Sequence, residues 1–124
     1  MKYFYLAMGG MDIFTGLLLV FVPTFTQGLI GVELMLDALL LRWVGVFVFG
    51  VGCCYWLPFL EPVDAFRQAQ FRLCLRATSL VRGCVAMFVT TATVVTWLEP
   101  AWLLVALVDG LVVVLQVGIW RRQF

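Results

Sequence analysis

The chain has 124 residues, of which 65% are hydrophobic and only 12% charged, with a mean hydropathy of +1.10. A soluble fold of this size has no interior large enough to hide that much apolar surface, and ordinary globular chains carry roughly a quarter charged residues; the composition excludes a disordered segment, a nucleic-acid-binding domain and almost any cytosolic enzyme. A net charge of +1 points to no polyanionic partner such as nucleic acid, and the absence of histidine removes the commonest metal and haem ligand and the usual acid–base catalyst at neutral pH.

A membrane-spanning helix needs about 20 mostly apolar residues, and four such stretches follow one another: 3–22, 41–59, 78–97 and 101–120. The first contains one charge, Asp12, and ends at Pro23; the fourth contains Asp109 alone. All four prolines (Pro23, Pro58, Pro62 and Pro100) fall at span boundaries, where a broken backbone ladder is tolerated. Trp43, Trp56, Trp97, Trp102 and Trp120 also fall near span ends, where an amphipathic ring favours the headgroup layer. Lys2 with the apolar run 13–22 has the look of a secretory leader, but no pair of small residues comes after it as a cleavage site, so the first span is expected to be retained. The expected fold is an all-α integral membrane protein, one domain over 1–124, built as a bundle of four transmembrane helices.

Four spans place the N-terminus, the middle loop and the C-terminus on one side, with Lys2, Arg67, Arg72, Arg76, Arg121 and Arg122; the other side holds Arg42 among Glu33, Asp37 and Glu99. The excess of cations predicts that both termini are cytoplasmic, in a bacterial inner membrane. Residues 24–40, between spans one and two, are apolar apart from Glu33 and Asp37; four apart, these two share one face if the segment is helical, which predicts a short helix lying in the outer interface. Residues 61–77 begin with Glu61, Pro62 and Asp64 and end in arginines, the charge order a helix dipole favours; they are expected to form a helix running straight into span three, its basic end drawn to anionic lipid. Cys53, Cys54, Cys74 and Cys84 all map to the cytoplasmic half, where thiols stay reduced, and read as small packing residues.

Three charges remain inside the bilayer, where each costs roughly 2.5–3.5 kcal/mol on insertion scales and marks a candidate site: Asp12, Arg82 and Asp109. Pairing them would relieve the cost and tie spans one, three and four together, with Gln116, two turns from Asp109, extending the network. Gln116 is also the candidate contact for a pigment. Small residues mark helix contacts where lipid removes the hydrophobic driving force: Gly45 and Gly52 in span two, Ser79, Gly83 and Ala86 in span three, and Gly9, Gly10 and Gly16 around Asp12.

The string Leu41-Arg42-Trp43-Val44-Gly45 with Gly50 and Gly52, and Leu107-Val108-Asp109-Gly110 before Gln116, resembles the small four-span bacterial membrane proteins of the DoxX-like group. That resemblance implies an accessory role, since the best-known relatives accompany a quinol oxidase without supplying its redox centre, and it carries over no catalytic residue. In length, span number and an acid midway in the first span, the chain is also similar to the small multidrug exporters, with Asp12 at the matching place; those use a glutamate and lack a companion to Arg82. The expected function is therefore a non-catalytic accessory subunit of a larger energy-transducing membrane complex, respiratory or photosynthetic, with other membrane subunits as partners and no cofactor of its own beyond peripheral contact with lipid, quinone or pigment. The alternatives are a proton-coupled small-molecule carrier acting as a homodimer through Asp12, and a quinone- or lipid-binding four-span enzyme.

Overall fold

The computed structural model describes residues 1–33 and 36–124, which form helices joined by short connections. In chain order they are α1 (Lys2–Phe21), α2 (Pro23–Ile30), α3 (Ala38–Trp56), α4 (Asp64–Val94) and α5 (Leu103–Gln123), with single 3-10 turns at Leu57–Leu60 and Pro100–Trp102. Four helical stretches (Lys2–Phe21, Ala38–Leu60, Asp64–Val94 and Pro100–Gln123) are long and apolar enough to cross a membrane.

α1 packs along α3, and α4 along α5, so the molecule is two antiparallel hairpins set side by side. The first is closed by glycine. On α1, Gly9 and Gly16 are buried two turns apart, and on α3 so are Gly45 and Gly52. A Cβ added at Gly16 would sit 2.7 Å from the Gly45 carbonyl oxygen, and one at Gly52 would sit 2.9 Å from that of Gly9, so the two backbones touch at both levels. Gly83 is different: a Cβ there meets nothing within 4 Å. The buried line of α4 runs through Phe71, Leu75, Thr78, Arg82 and Val89, and Gly83 lies one residue, about 100° of helix, away from it. Ala86 is half-buried, and Ser79 meets α5 through a hydrogen bond to Gln116.

The α1–α3 connection departs from one helix carrying Glu33 and Asp37 on a shared face. α2 stops at Gly31, whose φ of +86° is the left-handed conformation that ends helices. Asp37 then stands outside the next helix as its N-cap, its Oδ1 accepting from the Leu39 and Leu40 amides. Glu33 lies in a bend, with its amide donating to Glu99 Oε2 at 2.9 Å, which ties this connection to the one between α4 and α5. Gln27 is buried and clips Leu36 by its amide and carbonyl.

The middle loop runs directly into span three. α4 has 31 residues, about 46 Å at 1.5 Å per residue, so its first turns extend past a hydrocarbon core of about 30 Å. Arg67 is held locally in those turns, by Asp64 at 2.7 Å and by the Glu61 carbonyl at 2.8 Å. At the end carrying both termini, Tyr5, Tyr55, Phe71, Cys74 and Leu75 form a buried hydrophobic cluster, with the Tyr5 and Phe71 rings 4.6 Å apart. Tyr5 also donates its hydroxyl to the Phe71 carbonyl at 3.0 Å. Tyr5→Phe keeps the ring and deletes this bond, and the expected loss is about 1 kcal/mol of folding stability, read by denaturation in detergent. Cys53, Cys54, Cys74 and Cys84 are free thiols.

Candidate functional site

The buried residues of α1 are Tyr5, Gly9, Asp12, Gly16 and Leu19, a rhythm of four and three that puts Asp12 on the inward stripe. Arg82 lies on the buried line of α4 and Asp109 lies between the buried residues Ala106 and Val112 of α5. The three meet. Arg82 Nη2 donates to Asp12 Oδ1 at 2.6 Å and also reaches Oδ2, while Nη1 donates to Asp109 Oδ1. The side chains of Asp12, Arg82 and Asp109 are 6%, 7% and 13% exposed, so these are ion pairs withdrawn from solvent.

The remaining span joins through Tyr55, fully buried on α3, whose hydroxyl accepts from Arg82 Nε at 3.4 Å and from Gln116 Nε2. Gln116 Nε2 also donates to Thr78 Oγ1 at 2.9 Å, and Ser79 donates to Gln116 Oε1 at 2.9 Å. Thr78 in turn donates to the Cys74 carbonyl one turn back at 2.7 Å. Each of the four spans therefore contributes at least one polar side chain to one continuous network that crosses between the hairpins. Gln116 is wholly buried and its amide is bonded at both ends inside the bundle.

Isolated, each of the three charges would carry the insertion cost of a bare ion; together, the guanidinium faces two carboxylates in the forked geometry that suits it, and the Tyr55 hydroxyl takes its remaining edge. The network borders a cavity of about 410 Å³ between the hairpins, with Asp12, Arg82 and Asp109 at one end, Thr26, Ile30 and Trp102 at the other, and walls that include Val48, Val51, Val85, Val105 and Val108. This volume lies within the usual range for small-molecule sites, roughly 300–1,000 Å³. The chain matches no family model, no curated protein and no solved structure.

Tyr5 and Tyr55, like Thr78, are buried polar groups that sequence reasoning passes over. Both stand within a turn or so of a span end, where a tyrosine reads as part of the interfacial aromatic belt; Tyr55 is in addition next to Trp56. The available signal is periodic: Tyr5 is seven residues before Asp12, and Tyr55 continues the line of Gly45 and Gly52.

Proposed function

We propose that this chain is a multi-pass protein of the bacterial inner membrane, with both termini cytoplasmic, that serves as a non-catalytic accessory subunit of a larger energy-transducing membrane complex. The observation that carries this reading is the closed pairing of Asp12, Arg82 and Asp109. A catalytic or proton-coupling carboxylate has to release its partner during the cycle; both oxygens of Asp12 lie on Arg82 Nη2, in a bond that joins the two hairpins. The network therefore acts as a clasp. The outward faces carry Phe14, Phe47, Leu80, Phe88, Leu107 and Val114, all largely exposed, a lateral surface suited to lipid and to neighbouring subunits. The energy-transducing setting comes from the resemblance to DoxX-like proteins.

The cavity favours a second reading, in which the clasp also forms the polar end of a site for a small apolar molecule such as a quinone or a lipid. Extraction in mild detergent and native separation, with co-migrating chains and absorbing cofactors identified, tests the first reading: a large assembly is expected, and a colourless species made of two copies of this chain contradicts it. Asp12→Asn keeps an acceptor beside Arg82 and is expected to cost about 1.5–3 kcal/mol of stability and loosen assembly. In liposomes the same variant should leave pH-driven substrate exchange unaltered, whereas a carrier coupled through Asp12 would lose it.

A further inference from the structure

At the end carrying both termini, α4 and α5 leave a second cavity of about 310 Å³, lined by Leu75, Arg76, Ser79, Gln116, Val117 and Trp120. The indole Nε1–H of Trp120 is buried and has no hydrogen-bond partner, the one such side-chain nitrogen or oxygen among the described residues. A buried indole N–H ordinarily finds an acceptor, so an orphan beside a cavity marks a place where an acceptor belongs. Arg76 supplies the charge. Its guanidinium lies 4.9 Å from the centre of the Trp120 ring, and among the described residues no carboxylate comes within ion-pair distance of it.

These requirements converge on an anion. The ligand needs oxygens that accept from a neutral N–H and from a planar fork of donors, it must be small, and it must carry negative charge; a phosphate meets all three. Ser79 and Gln116 line the cavity but are bonded to each other, so they shape it more than they recognise. Depth points to the source. Trp120 adjoins Arg121 and Arg122 in the last turn of α5, the combination that sits at headgroup level, and the exposed Leu80, one turn deeper than Arg76 on α4, stands where acyl chains would lie. We propose that Arg76 and Trp120 hold the phosphate of an anionic phospholipid in the leaflet on the termini side, the guanidinium resting on the indole face and donating from its edge to a phosphate that lies beside the ring, with the indole N–H as second donor.

The test is native mass spectrometry of the detergent-solubilised chain titrated with phosphatidylglycerol, phosphatidylcholine or inorganic phosphate. Phosphatidylglycerol is expected to bind at least tenfold more tightly than phosphatidylcholine. Arg76→Gln, at an exposed position, should abolish that preference; Trp120→Phe, which keeps a ring under the guanidinium and deletes the N–H, should weaken binding about tenfold; Arg122→Gln, outside the cavity, should change it less than twofold. Displacement of the lipid by millimolar inorganic phosphate would uphold the anion site and name a free ion as its source, and resistance to displacement would name the lipid. A phosphatidylglycerol preference that survives both Arg76→Gln and Trp120→Phe, or no preference in the unaltered chain, overturns the proposal, because a diffuse basic surface would then account for the binding.

Discussion

Arg82→Gln is expected to lower folding stability by about 3–5 kcal/mol, the cost of removing one member of a buried ion pair and leaving its partner uncompensated. Two carboxylates depend on this one guanidinium, on α1 and on α5, so the loss falls on both hairpins at once. At about 1.4 kcal/mol per decade the folding equilibrium constant in a denaturant titration should fall by about two to three and a half orders of magnitude at fixed denaturant. The triple change Asp12→Asn, Arg82→Gln, Asp109→Asn tests charge balance, since it removes every formal charge of the network; the two Asp→Asn changes keep size, and glutamine keeps an amide donor on a shorter side chain. The triple variant is expected to recover at least half of the loss. A triple variant as unstable as Arg82→Gln would show that fork geometry and the Tyr55 bond, more than charge balance, hold the hairpins together.

How legible this arrangement is in the sequence depends on the kind of residue. Asp12, Arg82 and Asp109 stand out because a charge inside an apolar run has no neutral explanation, and three charges with complementary signs are drawn to one another. The four spans are legible for the same reason, and so is the continuity of residues 61–77 with span three, where no proline or glycine interrupts the chain between Pro62 and Gly83. Identity without phase is less informative. Gly45 and Gly83 are equivalent as small residues, yet one touches the backbone of α1 and the other faces open space, a difference decided by a rotation of the helix about its axis. Between the first two spans a short helix, α2, does form, but the shared face of Glu33 and Asp37 misleads: their spacing is helical, while the same segment carries Gly31, able to adopt positive φ, and an aspartate suited to capping α3. In that segment the terminators outweigh the period. The orphan indole of Trp120 has no sequence signature at all, since five tryptophans share the same position near a span end.

Gly16→Ala and Gly10→Ala are expected to act in opposite directions although both add one methyl to the same helix. At Gly10 the added Cβ meets nothing within 4 Å, so the change should stabilise by about 0.5–1 kcal/mol through reduced backbone freedom alone. At Gly16 the Cβ would lie 2.6 Å from the Phe49 amide nitrogen, 2.7 Å from the Gly45 carbonyl oxygen and 2.8 Å from the Phe49 Cα. All three are backbone atoms of α3, so no side chain can swing aside, and the helices have to separate by several tenths of an ångström along their whole contact. Overpacking typically costs about 1–3 kcal/mol; with rigid atoms on both sides the upper part of that range applies, and after the helix-propensity gain a net loss of about 2 kcal/mol is expected. Gly45→Ala should cost a similar amount, because its Cβ would meet the Gly16 carbonyl at 2.8 Å. The double variant should then cost less than the sum, since the helices need to part only once. Denaturation of the four variants beside the unaltered chain in the same detergent reads all of these values. Additive losses at Gly16 and Gly45 would mean that the two contacts yield independently, and a neutral Gly16→Ala would mean that α1 and α3 do not lie backbone to backbone.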